Sequence, residues 1–262
     1  MKPVLIFLSI LTAAAQAQKA PPPEWNVYTG TYTRAQKSKG IYAWRFQPAT
    51  GKLTALGIAA ETPNPSFLAV HPNQHFLYGV NEDNNGRVTS FAIDQASGKL
   101  KQLNQVSSKG GGPCHLAVDR SGKFLYVANY NSGSIAAFPI HDDGSLGDAS
   151  AFIQHAGSSV NQQRQKGPHA HATVVSPDNH YLFTADLGLD QVIGYRIDGS
   201  RGGMATDDPQ ITKVAPGSGP RHVAFRPDGR FLYVLNELTS NVVAYRYDAT
   251  KGTNEEMQTI ST

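Results

Sequence analysis

Residues 220–237 read Pro-Arg-His-Val-Ala-Phe-Arg-Pro-Asp-Gly-Arg-Phe-Leu-Tyr-Val-Leu-Asn-Glu, and this stretch decides the fold. Residues 223–225 and 231–235 are apolar runs of strand length. The Arg-Pro-Asp-Gly sequence between them has turn chemistry, because Pro fixes φ while Asp and Gly tolerate the bend. An antiparallel hairpin returns to the end from which it started. Arg221 and Glu237 are therefore expected at the same end of one sheet, either as part of a site or as an ordinary surface ion pair.

The same hairpin motif recurs earlier in the chain. The earlier copies begin at Pro65, Pro113 and Pro168. Their second strands carry Phe76-Leu77-Tyr78, Phe124-Leu125-Tyr126 and Tyr181-Leu182-Phe183. Self-similarity at a period of about 50 residues is the sequence signature of a repeat architecture.

Each hairpin is followed by a third strand and then, after a Gly- or Asp-rich turn, by a weaker fourth strand. The third strands are predicted at 88–93, 134–140, 191–197 and 241–247, and the fourth strands at 100–106, 149–154, 210–214 and 257–261. Four antiparallel strands per repeat are typical of a β-propeller blade. The predicted fold class is therefore all-β, a β-propeller of four-stranded antiparallel blades.

The repeats predict about five blades. Residues 25–60 supply an incomplete first blade, with strands at 25–29, 40–46 and 53–59, and four complete blades follow. A propeller normally closes by joining its ends, and no closing strand is predicted before Thr262. We therefore expect a C-terminally truncated ring, which would expose a strand edge and an apolar blade face. The alternative is a five-bladed ring with irregular closure.

The N-terminus has the features of an export signal. Lys2 gives a positive start, residues 4–15 are apolar, and Ala15-Gln16-Ala17 has the small-x-small form of a signal-peptidase site. Residues 1–17 are therefore predicted to be a signal peptide that is cleaved after Ala17, and the mature protein is predicted to be periplasmic or secreted. The alternative is an uncleaved anchor. Residues 18–24 are interpreted as a linker, and residues 25–262 as the propeller domain.

Composition excludes several partners and site types. The formal net charge is +3, and the basic residues are spread along the chain rather than grouped, so a nucleic-acid partner is not expected. Cys114 is the only cysteine, which rules out an internal disulfide and a multi-cysteine metal site. The sequence has neither the Gly-x-Ser-x-Gly nucleophile motif nor a phosphate-binding P-loop motif. No membrane association is expected after signal cleavage.

Equivalent positions of the repeats distinguish structural residues from candidate functional residues. A residue with a structural role should recur in every repeat, whereas a functional residue should differ. One position differs in every repeat, at the start of the first strand, and holds Ser66, Cys114, His171 and Arg221. A second position, at the end of the second strand, holds Asn81, Asn129, Asp186 and Asn236. We interpret the second set as turn-capping side chains. The first set is predicted to line the mouth of the central channel, where His171, Arg221 and Glu237 would bring together a base, a cation and a carboxylate.

Further histidines and two basic residues are weaker candidates. The longest repeat carries an insertion, residues 157–171, in which Arg164 and Lys166 are predicted to hold a carboxylate or phosphate of the substrate, unless they belong to a solvated loop. His169 and His222 are further candidate substrate-binding residues, although the position shared by His115 and His222 also fits repeat architecture. His71, His75, His155 and His180 are expected at the surface. His169 and His171 lack an accompanying acidic or thiol ligand of suitable spacing, so no metal and no cofactor are expected.

These motifs resemble a known family. The segments 219–229 and 234–238, Pro168-His169-Ala170-His171, and Tyr28-Thr29-Gly30-Thr31-Tyr32 are similar to the lactonase family of seven-bladed propellers. That family contains the bacterial propeller-type 6-phosphogluconolactonases and the fungal carboxymuconate-lactonising enzyme. The resemblance covers the chain from about residue 25 to its end.

The resemblance implies a metal-independent site at the channel mouth, built from a histidine, an arginine, a glutamate and a second arginine. The first three carry over to His171, Arg221 and Glu237, and the second arginine would lie beyond Thr262. The implied activity is hydrolysis of a small-molecule sugar lactone, with His171 as general acid and base and Arg221 stabilising the oxyanion. Glu237 is expected to orient Arg221 or to raise the pKa of His171. The alternatives are a lactonising cycloisomerase and a non-catalytic propeller that binds a ligand or partner.

Overall fold

The computed structural model describes residues 24–34 and 37–262. These residues form twenty β-strands and one short 3-10 helix, Gly199–Arg201. The strands are arranged in five antiparallel sheets, in agreement with the all-β propeller prediction. The predicted signal peptide, and all of the predicted linker except its last residue, lie outside the described residues. Within the described part of the chain, no helix is long and apolar enough to cross a membrane.

The first two sheets follow the predicted strand pattern. The first sheet contains β1 (Trp25–Thr29), β2 (Gly40–Gln47) and β3 (Lys52–Glu61). The second contains β4 (Leu68–Val70), β5 (Phe76–Asn81), β6 (Arg87–Ile93) and β7 (Leu100–Ser107). As predicted, the first sheet has three strands and the second has four.

The other three sheets complete the repeat. The third contains β8 (Pro113–Val118), β9 (Phe124–Asn129), β10 (Ser134–Pro139) and β11 (Ala151–Gln154). The fourth contains β12 (Ala170–Val175), β13 (Tyr181–Asp186), β14 (Gln191–Asp198), β15 (Gly203–Met204) and β16 (Gln210–Lys213). The fifth contains β17 (Pro220–Phe225), β18 (Phe231–Asn236), β19 (Asn241–Asp248) and β20 (Thr253–Ser261). In the fourth sheet the extra strand β15 pairs with the end of β14.

The turn residues Asp228 and Gly229 stabilise the hairpin between β17 and β18. Gly229 adopts a φ of +73°, a left-handed conformation that glycine enters without steric cost. The Asp228 carboxylate accepts the backbone N–H of Arg230 at 3.0 Å. The turn residues read from the sequence therefore form the turn, and the two strands pair antiparallel.

Two of the four residues predicted to cap turns have a different role, whereas Asp186 accepts the backbone N–H of Gly188 at 3.0 Å and so caps its own turn as predicted. The Asn81 side chain donates to the carbonyl of Pro63 at 2.6 Å, and that of Asn129 donates to the carbonyl of Ser108 at 3.0 Å. Both carbonyls lie in the segment that enters the sheet from the preceding one, so these side chains tie successive sheets together. The prediction that they cap their own turns is wrong at these two positions, because the side chains are buried and face inward.

The hydrophobic core lies between neighbouring sheets. Four apolar clusters are present in the described residues, and each is formed by two consecutive sheets. Strand β9 shows how the sequence achieves this. Leu125 packs in the cluster shared with the second sheet, whereas Tyr126 packs in the cluster shared with the fourth. Successive residues of a strand point to opposite faces, so a sheet covered on both sides needs a continuous apolar run such as Phe-Leu-Tyr.

The position of the core predicts the effect of truncating one leucine. Leu125 is fully buried between two sheets, whereas Leu53 on β3 is 53% exposed. We expect Leu125→Ala to lower the free energy of unfolding by about 2–5 kcal/mol, because it removes buried methyl groups and leaves a cavity. The matched variant Leu53→Ala should change it by about 0.5 kcal/mol or less. Urea denaturation measures both, and equal losses would contradict the assignment of the core.

Candidate active site

All five sheets contribute to one pocket at the end where the first strands begin. The pocket is lined by Tyr32, Ser66, Phe67, Glu82, Cys114, Tyr130, Arg164, His171, Arg221, His222 and Glu237. All four residues of the variable first-strand position are among them. The structure therefore brings together His171, Arg221, Glu237, Arg164 and His222.

A β-bulge places three of these side chains. The pairing between the first and second strands skips one residue in the third, fourth and fifth sheets, and the skipped residues are Cys114, His171 and Arg221. A bulge leaves the extra residue unpaired and re-aims its side chain. The bulged residue is thus released from the strict alternation of the strand, and in each of these sheets it lines the pocket.

Glu237 lies between two guanidinium groups. Its Oε2 is 2.9 Å from Nε of Arg221, and its Oε1 accepts Nη2 of Arg164 at 2.6 Å. The same Nη2 also donates to the hydroxyl of Tyr130 at 3.2 Å. Burial alone would raise the pKa of Glu237, but the hydrogen bond and charge of Arg164, with the neighbouring Arg221, outweigh it and lower that pKa. Glu237 is therefore ionised at neutral pH and holds both arginines at the pocket.

His171 is neutral at neutral pH. The residue is 8% exposed, and its ring packs edge-on against His222, with ring centroids 5.3 Å apart. Burial, together with the nearby charges of Arg221 and His222, lowers the pKa of His171 to about 4. The carboxylate of Glu237 raises this pKa, as predicted, but its contribution is smaller than the opposing effects of burial and of the charges of Arg221 and His222. The imidazole can therefore accept a proton.

Two predicted substrate-binding residues lie outside the pocket lining. The ring of His169 stacks on Tyr130, with centroids 4.5 Å apart, and its Nδ1 lies 2.9 Å from the Tyr130 carbonyl oxygen. Lys166 is exposed and does not line the pocket. Gln165, which lies between Arg164 and Lys166 in the sequence, is completely buried, and the loop places Arg164 at the pocket lining and Lys166 in solvent. Among the described residues, no group of three or more His, Cys, Asp or Glu side chains is placed to hold a metal ion.

His155 corrects the expectation of a surface histidine. It is 5% exposed, and its Nδ1 lies 2.6 Å from Oδ2 of Asp186. The other carboxylate oxygen of Asp186 accepts the backbone N–H of His169 at 2.8 Å. Asp186 is the one acid in a position that holds asparagine in the other repeats. The buried pair therefore fixes the segment that leads into His171.

Asp190, which sequence comparison did not single out, holds the two loops that carry the arginines. It is 4% exposed, and its Oδ1 accepts Nε2 of Gln165 at 2.8 Å and the N–H of Gly219 at 2.7 Å. Its Oδ2 accepts the hydroxyl of Ser159 at 2.5 Å and the N–H of Gly217 at 2.7 Å. Two other repeats have Gly133 and Ser240 at the equivalent position. An acid in place of these small residues is the sequence signal that could have identified Asp190.

Asp190→Asn tests this anchoring role. An amide nitrogen cannot accept the hydrogen bonds that one carboxylate oxygen now accepts, so we expect faster hydrogen exchange in residues 156–168 and 215–219. The free energy of unfolding should fall by about 1–3 kcal/mol. The matched control is Asp119→Asn, a buried acid whose carboxylate accepts the amide of Phe124 in a different turn. Unchanged exchange in both loops of Asp190→Asn would contradict the assignment.

Several known proteins with similar sequence or structure are named as lactonases. The 6-phosphogluconolactonase of Bacillus subtilis is 35% identical over 235 residues, which are 89% of this chain and 66% of the relative. The 6-phosphogluconolactonase of Formosa agariphila is 33% identical over 223 residues, 84% of this chain and 63% of the relative. The solved structure of the periplasmic gluconolactonase of Pseudomonas aeruginosa superposes with a TM-score of 0.85 at 37% identity, covering 92% of this chain and 69% of that one.

The chain thus spans 66% and 63% of the lengths of the two curated relatives. The comparison with protein families agrees with the fold and with the repeat pattern. The family model described as "Lactonase, 7-bladed beta-propeller" matches residues 26–262, and the chain belongs to this family.

Proposed function

We propose that this protein hydrolyses the ester bond of a sugar lactone. The observation that carries the proposal is the pocket in which a neutral imidazole, His171, lies with the Arg221–Glu237 ion pair. Ester hydrolysis needs a group that takes a proton from water and a cation or donor that stabilises the negative oxygen. These residues supply both functions.

The proton transfers follow from the charge state of His171. The neutral imidazole of His171 takes a proton from water while the water oxygen forms a bond to the lactone carbonyl carbon. The carbonyl oxygen becomes negative, and the guanidinium of Arg221 stabilises it. When the C–O bond of the lactone ring breaks, the protonated imidazole of His171 returns its proton to the leaving alkoxide oxygen. The products are a hydroxyl group and a carboxylic acid on one open chain, so atoms and charge balance without a metal ion.

The other predicted residues have supporting roles in this proposal. Glu237 orients Arg221 through the contact of 2.9 Å and recruits Arg164 from the loop. His222 packs against His171 and limits the positions that its ring can take. Arg164 is placed to bind the product carboxylate, because its guanidinium reaches the pocket lining.

Substrate class and location are part of the same proposal. Two relatives are named 6-phosphogluconolactonase, and a structural neighbour is named periplasmic gluconolactonase. The N-terminal segment read as an export signal supports a periplasmic location, where an unphosphorylated sugar lactone is the more accessible substrate. We therefore assign δ-gluconolactone ahead of its 6-phosphate.

His171→Ala tests the chemistry directly. Because the variant removes the proton acceptor, we expect kcat/KM on δ-gluconolactone to fall about 100- to 10,000-fold, after subtraction of spontaneous hydrolysis. The control is His75→Ala, which removes an exposed imidazole outside the pocket and should leave the rate unchanged. Turnover of His171→Ala equal to that of the unmodified protein would remove this residue from the mechanism.

The pH profile tests the charge state of His171. The base must be neutral, so kcat/KM should be lost as pH falls through the pKa of His171, about 4. An ordinary histidine would give the same loss near pH 6.5. Because the charge of Arg221 helps to lower this pKa, the residual activity of Arg221→Gln should show its acid limb at a higher pH. An acid limb near 6.5 in the unmodified protein would contradict the assignment.

A further inference from the structure

A second carboxylate lines the same pocket. Glu82 follows the second strand of the second sheet, at the repeat position that Glu237 occupies in the fifth sheet. Both side chains line the pocket. Repeat architecture alone does not explain the pair, since the third and fourth sheets have Tyr130 and Leu187 at this position.

The two carboxylates differ in their partners. Both oxygens of Glu237 are engaged, one by Arg164 and the other by Arg221. Oε2 of Glu82 accepts the hydroxyl of Tyr32 at 2.8 Å. Within residues 24–34 and 37–262, Oε1 of Glu82 has no hydrogen-bond partner and no cation in salt-bridge range. Of the two carboxylates lining the pocket, Glu82 is therefore the one with an oxygen available to a ligand.

Glu82, Cys114 and Arg221 line the same pocket. The pKa of the Cys114 thiol is raised to about 12 by burial and, to a lesser extent, by the charge of Glu82, while the charge of Arg221 acts in the opposite direction. Both charged groups therefore lie near this thiol, so a ligand in the pocket would meet a hydrogen-bond acceptor and a hydrogen-bond donor in one site.

We propose that Glu82 accepts hydrogen bonds from the ring hydroxyl groups of the substrate and so selects polyhydroxylated lactones over plain ones. This inference rests on the proposed lactonase function and extends it to specificity. A sugar ring carries several O–H donors, and a carboxylate is the strongest acceptor for them among side chains. The arginines of the pocket have only donors to offer, so they cannot take this role. Tyr32 fixes the Glu82 carboxylate through its hydrogen bond.

The test compares two lactones that share the reacting ester but differ in hydroxyl groups, δ-gluconolactone and δ-valerolactone. We expect Glu82→Gln to lower kcat/KM for δ-gluconolactone about 10- to 100-fold, the value of a hydrogen bond to a charged group. For δ-valerolactone the expected change is about threefold or less, because this substrate has no hydroxyl to lose. Tyr32→Phe should lower the selectivity in the same direction by a smaller factor. The control Glu61→Gln removes an exposed acid outside the pocket and should change neither rate.

The outcomes separate this inference from the proposed function. Equal losses on both lactones, or no loss on either, would overturn the hydroxyl-binding role of Glu82 and leave the lactonase function standing. Absence of turnover in the unmodified protein would instead overturn the lactonase function. Calorimetric titration with gluconolactam, the unreactive lactam of the same sugar ring, needs no turnover. Glu82→Gln should weaken its binding about 10-fold relative to the unmodified protein, and unchanged binding, or no binding to the unmodified protein, would overturn the inference.

Discussion

The pocket depends on one backbone irregularity, the β-bulge at the start of the first strand of a repeat. In regular pairing, side chains alternate between the two faces of a sheet. The third and fourth sheets have apolar neighbours on both faces, and the fifth sheet packs against the fourth. The bulge leaves His171 and Arg221 unpaired, so each can line the pocket without breaking the core beside it. The hairpin then returns to this end of the sheet, which places Glu237 against Arg221. The repeat therefore provides one variable position in each of the second to fifth sheets at a shared pocket.

The charges of the pocket residues determine which of them can act as a base and which as cations. Glu237 neutralises part of the charge of Arg164 and Arg221 and fixes both guanidinium groups, so the pocket holds two oriented cations without strong repulsion between them. Burial, with the charge of Arg221, keeps His171 unprotonated at neutral pH. A histidine base can work beside Arg221 only while its imidazole is unprotonated. A protonated imidazole next to this guanidinium would be destabilised by the like charge and could not accept a proton.

Much of the fold and part of the site were predictable from the sequence, for identifiable reasons. Turn chemistry and apolar runs give the strands, and antiparallel return gives the Arg221–Glu237 contact. Features that depend on loop conformation were not predictable. His155 is predicted at the surface but is buried and pairs with Asp186 of the next repeat. Lys166 is predicted to bind substrate but is exposed and lies outside the pocket lining. The direction of the pKa shift of His171 also needs the structure, since burial outweighs the nearby carboxylate.

The central claim is that the bulged residues of neighbouring blades act on one bound lactone. A crystal structure of the protein with gluconolactam tests it most directly, because it shows which side chains contact the reacting carbonyl. We expect the lactam carbonyl oxygen within hydrogen-bond distance of the Arg221 guanidinium and the lactam carbonyl carbon beside the His171 ring. Density for the lactam in a different part of the protein, away from both residues, would contradict the account.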